Sequence, residues 1–129
     1  MEPLLVIHWQ HLNEYDIITE KQHGFRKGLN TTTQLLHVIH FAAQALNNKE
    51  KYHIISFDIS KAFDRAPHNL LLHKLSLYNL DMTCIKWIGD WLRDRASVVV
   101  TGGQRSSGFS VDSGVPQGSV LGPLLFLLY

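Results

Sequence analysis

Cysteine is almost missing from this chain of 129 residues, which carries one, Cys84. A lone thiol excludes an internal disulfide framework and a multi-cysteine zinc knuckle, and it fits a reducing compartment. Charge is scarce too. Charged residues make up 18% of the chain, below the roughly 25% of ordinary globular domains. Twelve basic and eleven acidic residues leave a net charge of +1. Bulk electrostatics therefore cannot draw nucleic acid to the whole chain, and any polyanion site must be local. No apolar run is long enough to span a bilayer. The strongest, VLGPLLFLLY at 120–129, is about half of the roughly 20 residues required and reads as a buried helix. A basic leader with a small-residue cleavage site is missing from the start, and internal repeats and low-complexity tracts are lacking. Because native C-termini usually fray into solvent, an apolar run that stops at Tyr129 leads us to expect a truncated chain.

What is present is enough for a core. Hydrophobic residues make up 45% of the sequence, and a compact chain of this size buries roughly two-thirds of its unfolded surface. Leu5, Trp9 and Leu12 give a short helix over Leu4 to Glu14. The QHGFRKGLN stretch is a loop, and Thr31 with Gln34 is a capping-box signature for a helix reaching about Asn47. Leu35, Ile39, Ala42 and Leu46 form one stripe of that helix. YHIISFD, rich in β-branched and aromatic residues, predicts a strand. Pro67 suits the first turn of a helix with Leu70, Leu71, Leu75 and Tyr78, and Asp81 caps another with Ile85, Ile88, Trp91 and Leu92. SVVVTGG and GFSVDSG read as a hairpin turning at Gly102 and Gly103, followed by a turn-rich VPQGSVLGP loop and the apolar helix. The order is α+β.

The stretch FDISKAFD at 57–64 holds two aspartates. On a continuous strand Asp58 and Asp64 would lie roughly 20 Å apart, at about 3.3 Å per residue. They cannot grip one ion, because two catalytic metals sit about 3.5–4 Å apart and need converging carboxylates. The two acids therefore have different jobs. Asp58, ending an apolar strand, is either a carboxylate presented to a ligand or a turn residue. Asp64, shortly before Pro67, shapes the turn into the next helix.

FDISKAFDRAPH, together with SGVPQGSVLGPLLF and QHGFRKGLNTTTQLL, in the right chain order and at plausible separations over residues 22–126, resembles the reverse transcriptase domain of non-LTR, LINE-type retrotransposons. The resemblance implies a partial right-hand polymerase fold, fingers-like over 1–50 and palm-like over 51–129. It implies an RNA-directed DNA polymerase that adds deoxynucleotides to a DNA primer 3′-end on an RNA template, with Mg2+ held by Asp58. Phe63 matches the bulky residue that excludes a 2′-hydroxyl from the incoming deoxynucleoside triphosphate. Gln117 and Gly118 match the loop against that nucleotide and the template, and Arg26 and Lys27 match cations that hold phosphates. Asp64 is expected to support Asp58 from outside the metal's immediate shell. The family also needs an aromatic residue, usually alanine, then two aspartates on a hairpin beside the Asp58 strand. These 129 residues contain no such pair. Two-metal phosphoryl transfer draws carboxylates from both places, so the chain alone is expected to be inactive, with its Asp58 strand left as a bare, association-prone edge. The alternative is a non-catalytic remnant of a decayed element with weak or no RNA binding. Both cytoplasm and nucleus suit such a product, and no membrane partner is expected.

Other constellations are weaker. His37 with His40, and His8 with His11, have ligand spacing, yet no HExxH pattern or companion acid completes a set. Cys84 sits on an apolar helix face and reads as packing, and Trp87 with Trp91, four apart, reads as a core or subdomain contact in preference to base stacking. Arg93, Arg95 and Arg105 flank the hairpin and either meet a nucleic-acid backbone or solvent.

Overall fold

The structure, a computed structural model, describes Leu12 and residues 14–129. Most of the helix read over Leu4 to Glu14 lies outside the described residues. The chain divides into a unit ending at Ile59 and a unit from Ser60 to Tyr129.

In the first unit, helix α1 spans Thr31–Asn47. Its cap is not the Thr31–Gln34 pair read from the sequence but Asn30 with Thr33. Asn30 Oδ1 accepts from the Thr33 amide at 3.0 Å, and Thr33 Oγ1 accepts from the Asn30 amide at 2.9 Å. The shift by one residue has a physical reason: asparagine caps at least as well as threonine and leaves Thr31 free to begin the helix. Asn30→Ala should cost about 1 kcal/mol of stability, readable as a lower urea midpoint. Thr33 Oγ1 also meets the Nδ1 of buried His23 at 2.8 Å, so cap and preceding loop are joined. The apolar stripe is not buried: Leu35, Ile39 and Leu46 are exposed, while Ala45 on the same helix is covered.

The strand over YHIISFD is not formed. Residues 51–59 carry no regular secondary structure and are exposed, and Phe57 is 90% exposed. A strand exists only through a ladder partner, and among the described residues no backbone hydrogen bond reaches 51–60. High β-propensity without a partner leaves an extended but solitary segment.

The second unit holds the larger core. Helices α2, His68–Leu77, and α3, Met82–Leu92, pack on each other and α2 also meets α4, Leu121–Leu128. Leu71, Leu75, Ile85, Ile88, Leu92 and Leu125 meet in that core, all nearly inaccessible. Pro67, read as a first-turn residue, instead stands one position earlier as the N-cap of α2, whereas Asp81 caps α3 as read from the sequence. Asp81 Oδ1 accepts from the amides of Thr83 at 2.8 Å and Cys84 at 3.3 Å. Hydrogen bonds from Thr83, then from the Cys84 amide, hold this carboxyl below its ordinary 3.8. A lowered folded value means that the cap's contribution is present above the ordinary value and is lost as pH falls through the folded one. Urea midpoints followed into acid should therefore drop more for the natural chain than for Asp81→Asn, whose cap carries no titrating charge.

The hairpin forms as two short ladders. Strands β1, Ala96–Ser97, and β4, Phe109–Ser110, pair antiparallel, as do β2, Val100–Thr101, and β3, Gln104–Arg105. Gly102 and Gly103, with φ of 55° and 77°, make the tight turn. Val98 and Val99 separate the ladders on one side, and Ser106, Ser107 and Gly108 on the other. The additional residue bulges the returning strand and bends the hairpin. The chain is thus a mixture of helices and small antiparallel sheets, the α+β class expected from the sequence.

Candidate functional site

Lys61 begins the construction. Its φ of 51° places a non-glycine residue in the left-handed region, at a cost on the order of 1–2 kcal/mol. That kink starts a single 3₁₀ turn, Ala62–Asp64, closed by the Asp64 amide on the Lys61 carbonyl at 2.9 Å. Phe63 and Asp64 are thereby set on a tight corner before α2.

The segment before the PQG loop clasps this corner. The Val115 amide donates to the Phe63 carbonyl and the Gly114 amide to the Ala66 carbonyl, each at 2.7 Å. Ser113 Oγ donates to the Asp64 carbonyl, and His68 Nε2 to the Gly114 carbonyl, each at 2.8 Å. Gly114 has a φ of +86°, and a Cβ there would lie 2.6 Å from both Asp64 Cα and the Phe63 oxygen. Only glycine meets both demands. Farther along, Ser119 Oγ donates to the Pro116 carbonyl at 2.6 Å and accepts from the Gly122 amide at 2.9 Å, fixing the loop to the start of α4. Gln117 and Gly118 are exposed on that loop. Phe63 stacks on Phe126 of α4, with ring centroids 4.8 Å apart.

A cleft of about 520 Å³ lies beside this corner, lined by Lys61, Asp64 and Gln117 together with Arg95, Ser97 and the Phe109–Val115 segment. Of the residues singled out in the sequence, Asp64 and Gln117 are brought to one cavity, and Phe63 to the same corner. Asp58, Arg26 and Lys27 belong to the first unit. Asp58 is exposed on the unpaired segment, so it does not end a strand. Arg26 Nη1 donates to the Thr19 carbonyl at 2.8 Å within its own loop, and Lys27 is exposed. Among the described residues no group of three His, Cys, Asp or Glu side chains stands ready for a metal. His37 packs edge-on against His23 and Phe41. The described donors therefore do not make a preformed magnesium cage. Trp87 and Trp91 lie parallel with centroids 6.4 Å apart, and Trp87 is partly exposed, which is less burial than a core role requires. Cys84 is half-buried, and desolvation, then the nearby Asp81 carboxylate, pushes its thiol up, away from nucleophilic use.

Sequence reasoning missed Lys61, Ser113 and His68 as parts of this joint. His68 follows Pro67 in the quoted motif, but nothing in its spacing reveals a bond 46 residues away. Among the described residues no helix is long and apolar enough to cross a membrane.

The chain belongs to the reverse transcriptase (RNA-dependent DNA polymerase) family, whose model matches residues 6–129. The relatives are RNA-directed DNA polymerases of non-LTR elements. The chain is 40% identical over 114 residues to the "RNA-directed DNA polymerase from mobile element jockey" of Drosophila melanogaster, covering 87% of this chain and 12% of that protein. The jockey polymerase of Drosophila funebris is 39% identical over 112 residues, with the same shares covered. The "Probable RNA-directed DNA polymerase from transposon X-element" of Drosophila melanogaster is 38% identical over 113 residues, covering 88% of this chain and 12% of the relative. This chain thus spans about 12% of the length of these relatives. No solved structure matches it.

Proposed function

We propose that these residues form part of the fingers and palm of an RNA-directed DNA polymerase that extends a DNA primer on an RNA template. The observation that carries the reading is the clasp. Four hydrogen bonds from Ser113, Gly114, Val115 and His68 hold the Phe63 corner against the segment leading to Gln117. Such rigidity is what nucleotide selection needs, because misplacing a positioning group by about 1 Å costs on the order of a hundredfold in rate.

In this reading Phe63 walls off the 2′ side of an incoming deoxynucleoside triphosphate, and its stack on Phe126 keeps the ring from swinging aside. Gln117 and Gly118 present amide groups and a bare backbone to the nucleotide and template. Arg26 and Lys27 steady phosphates, Arg26 as a planar guanidinium fork. Asp58 supplies one carboxylate for Mg2+, which when bound neutralises the charge of the transferring phosphoryl group. Asp64 lines the cleft and supports the site by charge. A second carboxylate set has to come from an aspartate pair that these 129 residues do not contain, so we propose that they are inactive by themselves.

Sugar discrimination tests the reading. In a domain completed with an aspartate-pair hairpin, Phe63→Ala should raise ribonucleotide relative to deoxynucleotide incorporation about tenfold or more, since loss of a packed wall changes discrimination by roughly 1–3 kcal/mol. Unchanged selectivity with extension intact would remove Phe63 from the pocket. The second reading, a non-catalytic remnant, is favoured by the unpaired, exposed segment around Asp58. It requires that no completed domain extends a primer.

A further inference from the structure

Among the described residues one polar side chain is buried as a whole, His23 at 7% exposure, and the proposed polymerase site gives it no task. Its neighbour fixes its tautomer. Thr33 Oγ1 has a single proton, which it donates to the Asn30 carbonyl at 2.8 Å, and it accepts from the Asn30 amide at 2.9 Å. The remaining contact of that oxygen, 2.8 Å from His23 Nδ1, is then an imidazole N–H donating to it. In the neutral ring the lone pair therefore sits on Nε2, and among the described residues no hydrogen bond occupies that atom. His37, exposed on α1, stands edge-on to the same ring, with centroids 5.0 Å apart and planes at 74°.

We propose that His23 and His37 form a two-imidazole site for a divalent transition-metal ion of the zinc class. Their spacing carries the assignment. An imidazole nitrogen lies about 2.0–2.1 Å from zinc, so two ligating ring centres stand about 3.2 Å from the ion and, at a tetrahedral angle, about 5.2 Å from each other. The observed 5.0 Å lets both rings reach one ion. A second feature points the same way. Metal-ligating histidines donate their other ring N–H to an oxygen that fixes the ring, and Thr33 Oγ1 is that oxygen for His23. His37 is exposed, so its ring turns to present a nitrogen without opening a core. Two protein donors leave the other positions of the ion to water. Imidazole suits zinc, copper and nickel, whereas magnesium takes oxygen donors, so this site is chemically separate from the magnesium role proposed for Asp58. It also uses no residue given a part in handling the nucleotide. Because His23 belongs to the loop before α1 and His37 to the helix itself, a bound ion ties the loop that carries Arg26 and Lys27 to that helix.

The test is calorimetric titration of the whole chain with Zn2+ in excess Mg2+, together with thermal unfolding with and without Zn2+. Zn2+ should bind despite the Mg2+ and raise the unfolding midpoint. His37→Phe keeps an aromatic ring for the edge-on contact and removes the nitrogens. It should leave the midpoint without Zn2+ as it is, weaken Zn2+ binding about tenfold or more, and abolish the rise. Thr33→Val, which removes the acceptor of the His23 N–H, should weaken binding about tenfold, whereas Asn30→Ala, which loosens the same helix cap, should not. His40→Ala, one turn along α1, should bind as the natural chain does. With Cu2+ as a spectroscopic probe, electron paramagnetic resonance should show coupling to two imidazole nitrogens, and to fewer in His37→Phe. The proposal is overturned if Zn2+ does not bind or if His37→Phe binds it as well as the natural chain. It is equally overturned if Asn30→Ala weakens binding as much as Thr33→Val, or if binding is lost in His40→Ala or in His8→Ala combined with His11→Ala.

Discussion

Gly114→Ala should lower the unfolding midpoint of the second unit by on the order of 10 °C or more, equivalent to about 3–5 kcal/mol. Two independent penalties meet at this position. A φ of +86° is hostile to any Cβ, at about 1–2 kcal/mol. The new methyl would also sit 2.6 Å from Asp64 Cα and the Phe63 oxygen, both backbone atoms that cannot swing aside. Relief requires the clasp to open, and the amides of Gly114 and Val115 then lose their acceptors at Ala66 and Phe63. Alanine at Gly118 is the useful comparison, since its φ is +81° but nothing lies within 4 Å of a Cβ there. That variant should carry only the backbone strain, about 1–2 kcal/mol. Calorimetry or urea unfolding of both separates strain from collision. Equal losses would mean that the contact between the two segments is not close in solution.

Local chemistry made much of this fold legible. Asp81 followed by an apolar helix, Pro67 before another, and paired glycines between β-branched runs each act over a few residues, and each formed where its chemistry called for it. The first helix shifted its cap by one residue because Asn30 and Thr31 compete for the same duty, and neighbouring candidates are hard to rank. The failure at YHIISFD is more instructive. Its composition states a preference for extended backbone, but a ladder is a property of two segments, and the partner's presence cannot be inferred from Ile54 or Phe57. Asp58 accordingly stands on an exposed stretch. The site divides along the same line: Phe63, Asp64 and Gln117 were legible through their motifs, whereas the contacts of Ser113 and His68 with the corner span 49 and 46 residues. Such long-range pairings leave no periodic trace in the sequence.

Asp58 carries the catalytic claim, and its replacement should have the largest effect on activity. A carboxylate that holds the metal ions of phosphoryl transfer supplies both charge neutralisation and placement, and its loss is expected to reduce turnover roughly a thousandfold or more. Its exposure makes the experiment clean. An exposed aspartate on a segment that no backbone hydrogen bond reaches among the described residues contributes little to folding, so Asp58→Ala should shift stability by no more than about 0.5 kcal/mol. Loss of activity would then not be a loss of structure. Asp64→Ala is the internal comparison, since Asp64 lines the cleft and its backbone carbonyl, which accepts from Ser113, stays in place.

The decisive measurement is RNA-templated primer extension by a domain in which this chain is completed with an aspartate-pair hairpin, comparing the natural residue with Asp58→Ala at matched folded protein. Magnesium-dependent extension is expected of the former and none above background of the latter. Extension that survives the substitution at an undiminished rate would contradict the metal role of Asp58.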